Sequence, residues 1–247
     1  MSTRVPAIAM LCFSKCAGQD RKASSLTAFT LIEVLVVIAI IGVLAGLLFV
    51  VVKPIKVKKM IAVAQAELAQ METAIDAYKG KYGFYPPDNP GNPVVHQLYF
   101  ELAGTALANL PGSQVYVTLD SSASIPATPA AFQSAYGAST SVSGFVNTSK
   151  TARGNDDTGT AENFLKDLKP KQTGALTAVP SVRILICSVL SEKAPFLVPG
   201  DTTGMSPWQY NASHPTNNPS SYDLWVDLSI GGKIYRVSNW STKPQAL

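Results

Sequence analysis

The sequence predicts an α+β fold in which a long N-terminal helix, membrane-spanning at first and then amphipathic, packs on a small antiparallel β-sheet. Three observations carry this expectation. Residues 34–52 form a run of 19 uncharged, almost wholly apolar residues. Residues 61–82 repeat apolar side chains at spacings of three and four, the period of one helix face. Near the C-terminus, alternating segments flank Gly231-Gly232, a two-residue hairpin signal.

Composition bounds the reading. The chain has 247 residues, 47% hydrophobic and 15% charged, which excludes disorder throughout. Its formal charge of +4 is concentrated at the start, where Arg4, Lys15, Arg21 and Lys22 are opposed only by Asp20 within residues 1–28. The remainder is close to neutral, so no nucleic-acid partner is expected. Cys12 and Cys16 belong to the same stretch, and its removal would leave Cys187 alone, without a disulfide partner.

At a rise of about 1.5 Å per residue, a helix over 34–52 spans roughly 28 Å, enough to cross a bilayer. It lacks the polar stripe of a core helix. An ordinary secretory signal places a small-residue cleavage site after its apolar run. Here no such site follows before Lys53-Pro54, and the small residue that marks a boundary, Ala28, comes before the run. Cleavage after Ala28 would leave the helix on the mature chain.

Glu33 stands at the edge of the apolar run, where a carboxylate costs on the order of 2 to 3 kcal/mol unless it finds a partner. The helix dipole in the first turn offsets roughly 0.3 to 1 kcal/mol of that. Gly42 and Gly46 have the spacing of a close helix–helix contact, or are ordinary glycines of a membrane helix. Pro54 removes one backbone hydrogen bond and predicts a kink. Lys53, Lys56, Lys58 and Lys59 follow the run, so the distribution of basic residues does not choose an orientation.

Ile61, Ala64, Leu68, Met71, Ile75, Tyr78 and Tyr82 make the apolar face of the second helical stretch, which should end near Gly80 or Gly83. That face suits packing on its own domain, or a coiled-coil partner. Beyond it, 96–104 reads as a short helix with Leu98 and Leu102 inward and Gly104 as its stop, and 114–120 as a strand. Residues 121–160 hold 25 Ser, Thr, Ala or Gly among 40 and read as a long surface loop or insertion. A helix is expected over 161–168, a strand over 181–190, and a hairpin from 222–230 and 233–240. N-x-S triplets begin at Asn147, Asn211 and Asn239 and are compatible with surface positions.

The hexapeptide Phe29-Thr30-Leu31-Ile32-Glu33-Val34, opening an apolar run behind a basic leader, resembles the N-terminus of type IV prepilins and type II secretion pseudopilins. Residues 66–89, with their Tyr85-Pro86 turn, are similar to the amphipathic continuation of major pseudopilins of type II secretion. Pro207-Trp208, Asp223-Leu224-Trp225 and Asn239-Trp240 resemble their C-terminal region. The resemblance implies a pilin-like fold with a leader over 1–28, a transmembrane and assembly helix over 29–52, an amphipathic continuation over 53–85, and a periplasmic domain over 86–247. It implies that a prepilin peptidase cuts between Ala28 and Phe29 and methylates the new amino terminus of Phe29. The family usually has Gly before the cut, so Ala28 is a small departure. It also implies that Glu33 pairs with the amino group of Phe29, on its own or a neighbouring subunit, during assembly.

The implied partners are further copies of the chain, other pseudopilins, the prepilin peptidase, the inner-membrane assembly platform and membrane lipid. The implied place is the bacterial inner membrane, crossed once, with the C-terminal domain in the periplasm or in a surface filament. Major pseudopilins hold calcium in an acid-rich C-terminal loop. Here a two-glycine turn offers no room for several side-chain oxygens, while calcium takes six to eight; Asp223 and Asp227 remain as weak calcium candidates, or simply face solvent on a hairpin strand, and no other metal or cofactor is expected.

No enzyme is expected either. His96 and His214 lack a Cys or acid at zinc-ligand spacing, and no phosphate loop or nucleophile elbow is present. Cys187 lies in an apolar strand, as a small buried hydrophobe does. Two functions fit: a pseudopilin-like filament subunit for type II secretion or a related pilus-like machine, or an uncleaved membrane-anchored binding domain facing the periplasm. The first explains an acid at position 33, for which a plain anchor has no use.

Overall fold

The computed structural model describes residues 30–149, 160–175, 182–192, 204 and 206–247, with side chains throughout except at 47–54. The leader, Phe29 and the expected cleavage site lie outside these residues. The chain divides into two units, Met1–Val50 and Val51–Leu247.

Helix α1, Leu31–Tyr82, begins in the first unit. There, apart from Glu33, its large side chains are apolar and exposed, from Leu31 and Ile32 to Val43 and Leu44. The helix continues through Pro54, and the kink expected there falls at residues whose side chains are not described.

In the second unit α1 is amphipathic as its spacing predicts. Ile61, Ala64, Leu68, Met71, Ile75 and Tyr78 are buried in the domain's core, and Tyr82 packs against it. The helix ends where Gly83 takes φ +82° and donates its N–H to the Lys79 carbonyl at 2.8 Å. Glycine reaches that left-handed conformation without steric cost.

Helix α2, Leu98–Ala103, is buried along its whole length and stops at Gly104. Strands β1, Thr105–Leu110, and β2, Ser113–Thr118, form a hairpin around Pro111-Gly112, with Leu110 opposite Ser113. Strand β3, Ser124–Pro126, joins β2, and β4, Thr148–Ser149, joins β1 in parallel, giving the order β3-β2-β1-β4.

The expectation of a surface loop over 121–160 is corrected for its described part, 121–149. Besides β3 and β4 it contains helix α3, Pro129–Tyr136, which Thr128 caps by accepting the Ala131 N–H at 3.3 Å. Ile125, Phe132, Tyr136, Val142 and Phe145 are buried. Phe145 stacks on Phe100 of α2 at 4.8 Å between ring centroids. A few large apolar residues spaced among small polar ones suffice to bury the segment.

The helix expected over 161–168 is also absent. Its backbone groups are drawn into tertiary bonds: Glu162 N–H donates to the Asn147 side chain and Phe164 N–H to the Leu102 carbonyl. Tertiary contacts here override local helix propensity. The strand expected over 181–190 shortens to β6, Arg183–Leu185, paired with β5, Thr173–Ala175.

The second four-stranded sheet has the order β10-β9-β8-β7 and is antiparallel. Its strands are β7, Gln209–Asn211; β8, Asp223–Ile230; β9, Lys233–Ser238; and β10, Ser241–Ala246. The expected hairpin joins β8 to β9, with Gly231 at φ +62° and Gly232 at φ +75°, the pair of left-handed residues a type I′ turn requires. Leu224, Val226, Leu228 and Ile230 enter the same core as the inner face of α1.

Candidate functional site

The first described residues form a helix start built from side chains. Thr30 precedes α1 and its hydroxyl accepts the Glu33 N–H at 3.3 Å. The Glu33 carboxylate in turn accepts the Thr30 N–H and hydroxyl, each at 3.4 Å. This is a reciprocal capping box, spelled in the sequence as Thr-x-x-Glu. The arrangement is exposed, and its bonds lie at the long end of the hydrogen-bond range. Glu33 therefore holds its charge at the positive end of α1, four residues along the chain from position 29. Ala28 and Phe29 lie outside the described residues.

Gly42 and Gly46 sit one helical turn apart, and a methyl group added at either would meet nothing within 4 Å. Within this chain both positions face open space. Among the described residues no helix is long and apolar enough to cross a membrane. The expected span reaches into residues 47–52, whose side chains are not described, and 34–46 alone falls short of a bilayer's thickness.

The C-terminal end of α1 is fastened to the domain by a buried polar cluster that periodicity does not reveal. Glu101, fully buried on α2, accepts the Tyr78 hydroxyl at 3.0 Å, the Val146 N–H at 2.9 Å and the Asn147 N–H at 3.0 Å. Burial raises its carboxyl above the ordinary range, while these three donors pull the other way. Asn147 is equally buried. Its amide donates to the carbonyls of Glu101 at 2.7 Å and Glu162 at 2.6 Å, and its oxygen accepts the Tyr82 hydroxyl at 2.7 Å and the Glu162 N–H at 2.9 Å. Asn147 is thus no surface position, which corrects the reading of its N-x-S triplet. Higher on α1, buried Glu67 accepts the N–H and hydroxyl of Ser188. Tyr78, Tyr82 and Glu67 together tie one helix to three chain segments.

The two calcium candidates do not face solvent as a hairpin strand would allow: both are buried and already committed to protein donors. Asp223 accepts the N–H groups of Thr216, Asn217 and Asn218 at 2.8 to 2.9 Å, and the Asn217 side-chain amide at 3.1 Å. Asp227 forms a two-pronged pair with Arg236, both bonds at 2.7 Å. Four N–H donors aimed at one carboxylate and a guanidinium across the other leave neither free to ligate, so these residues do not fit a calcium site. Among the described residues no group of three or more His, Cys, Asp or Glu side chains could hold a metal.

His96 and His214 are not brought together. His96 is buried, with Nε2 at 2.9 Å from the Trp208 carbonyl and Nδ1 accepting the Leu98 N–H at 3.3 Å. Burial lowers its pKa to about 4, so it is neutral, with the proton on Nε2. His214 donates its N–H to the Asn211 side chain at 3.0 Å in a local turn. Cys187 is buried, and burial together with the nearby Glu67 carboxylate pushes its thiol up, away from a reactive thiolate.

Residues 27–49 match the model of the prokaryotic N-terminal methylation motif. The match takes in Ala28, Phe29, Glu33, Gly42 and Gly46. The chain thus carries a type IV pilin-like signal, which suggests a processed pilin-like subunit anchored in a membrane or held in a surface filament. No curated protein and no solved structure matches the chain.

Proposed function

We propose that this chain is a pseudopilin-like structural subunit of a type II secretion filament or a closely related pilus-like machine. The observation that carries this reading is the methylation motif placed directly on an exposed, wholly apolar helix with one acid at its start. In this reading the prepilin peptidase cuts between Ala28 and Phe29 and methylates Phe29. The subunit waits in the inner membrane with its domain in the periplasm. An assembly platform and other pseudopilins then polymerise it. Its work is mechanical rather than enzymatic, and it needs no cofactor.

Energetics support the path. Eleven large apolar side chains between Leu31 and Leu44 are exposed in the isolated chain. At roughly 1.5 to 3 kcal/mol for each Val, Leu or Ile taken out of water, leaving them wet costs on the order of 20 kcal/mol. Lipid first, and neighbouring helices afterwards, keep them covered. Gly42 and Gly46, which face open space and carry no side chain, let a neighbouring helix come close.

Glu33 has two states in this scheme. In the isolated subunit it caps α1 through long, exposed bonds to Thr30. On assembly it exchanges them for the methylated amino group of a neighbour's Phe29, an ion pair that forms as the apolar surroundings close and therefore sets register. The amphipathic half of α1, tied to the domain at Glu67, Tyr78 and Tyr82, carries the domain along with the helix.

Deleting the gene in its own bacterium tests the secretion role. Secreted proteins should accumulate in the periplasm and return to the medium with the wild-type gene. A Glu33→Ala gene should yield a processed subunit that does not restore them. Normal secretion with loss of surface attachment or DNA uptake would assign the filament to another machine.

A further inference from the structure

Lys56, Lys58 and Lys59 are exposed on α1 just beyond the apolar run. Val57 and Met60 pack against the core and Ile61 and Ala64 lie within it. At 100° per residue the three lysines therefore fan over the opposite half of the helix. Ile55, also exposed, stands beside them on that half. Among the described residues none of the three makes an ion pair, the salt bridges being Lys81–Glu162 and Arg236–Asp227. Glu192 feels the charge of Lys56, but its carboxylate already accepts the Gly232 N–H at 3.1 Å.

Three cations without an ion pair among the described residues are thus carried on one packed helix, four to seven residues past the end of the run at 52. We propose that Lys56, Lys58 and Lys59, with Ile55 beside them, bind the phosphate headgroups of anionic phospholipid where α1 leaves the membrane. This rests on the membrane anchoring proposed above. Aliphatic lysine stems and Ile55 lie along the interface while the ammonium groups reach the phosphates. The cluster holds the waiting subunit at a set depth, and extraction into a filament must release those headgroups. The same contact accounts for basic residues that follow the span as well as those that precede it.

The test uses the full chain, extracted from bacterial membranes in mild detergent and offered equimolar phosphatidylglycerol and phosphatidylcholine, with retained lipids counted by native mass spectrometry. The wild type should retain phosphatidylglycerol over phosphatidylcholine by about tenfold. The triple variant K56Q/K58Q/K59Q should lose the preference, and K56R/K58R/K59R should keep it. Equal retention of both lipids by the wild type, or an unchanged preference in the glutamine variant, would overturn the proposal. So would carbodiimide cross-links from these lysines to Glu72 or Asp76 of a second copy without lipid preference, which would assign the cluster to subunit contact. A chain absent from the membrane fraction would remove the anchoring reading itself, a result seen before any lipid is added.

Discussion

Glu101 and Asn147 hold each other in both directions. The Glu101 carboxylate accepts the Asn147 backbone N–H at 3.0 Å, and the Asn147 side chain returns a bond to the Glu101 carbonyl at 2.7 Å. Around this exchange gather the hydroxyls of Tyr78 and Tyr82, so the last turns of α1 are joined to α2 and to the segment before β4. The cluster fastens the end of the helix to the domain.

Removing either partner strands buried groups. Glu101→Ala leaves the Val146 and Asn147 N–H groups and the Tyr78 hydroxyl without an acceptor, and about 3 to 5 kcal/mol of stability should be lost. Glu101→Gln, which keeps one accepting oxygen, should lose less. Thermal unfolding of the full chain in mild detergent measures both. Equal stability in the alanine variant would show that the cluster does not hold the helix.

Acid should weaken the domain through His96. Its folded pKa of about 4 lies below the ordinary 6.5, so the unfolded chain binds more protons between those values. The contribution of His96 is complete above pH 6.5 and is lost as pH falls to about 4, on the order of 3 kcal/mol in all. Glu101 acts with the opposite sign. Its raised carboxyl takes up a proton first in the folded chain, so its contribution is present below the ordinary carboxylate pKa and lost as pH rises through the raised one. His96→Gln should flatten the decline on acidification, and Glu101→Gln should steepen it, in unfolding curves taken from pH 7 to pH 4.

Gly104 closes α2 in a conformation that only glycine adopts readily, φ +70° and ψ 149°. A Cβ there would stand 2.7 Å from the Glu162 carbonyl oxygen and 2.9 Å from Leu119 Cδ1. Gly104→Ala should cost about 2 to 4 kcal/mol, because a backbone oxygen cannot yield as a side chain would. An unchanged melting temperature would contradict that packing.

The turn before β8 should stand without metal. With Asp223 filled by four protein donors, chelator or added calcium should leave the melting temperature unchanged. Asp223→Asn should lower stability by about 2 kcal/mol, since it gives up charge-assisted bonds and turns an amide toward other donors. Stabilisation by calcium would show that Asp223 ligates after all.

What could be read from the chain alone divides by mechanism. The inner face of α1 was legible because one helix period repeats for six turns, and the Gly231-Gly232 hairpin because its turn chemistry is local. Thr30-x-x-Glu33 was spelled out as a cap, yet the apolar run beside it drew the reading toward the charge of Glu33 alone. Thr128-Pro129 and Pro111-Gly112 were also written signals, a capped helix start and a hairpin turn. They were obscured by the composition around the first and by weak alternation around the second. Glu101 and Asn147 could not have been found this way. A buried acid and a buried amide satisfied by groups dozens of residues distant leave no periodic trace. Residues 161–168 failed for a related reason, since their N–H groups answer distant partners.

The mature N-terminus tests the central claim most directly. The N-terminal peptide of the chain from native membranes should begin at Phe29 with one added methyl group, and should carry the intact leader when the prepilin peptidase is absent. A leader retained with the peptidase present, or a first residue beyond Val52, would contradict a processed filament subunit.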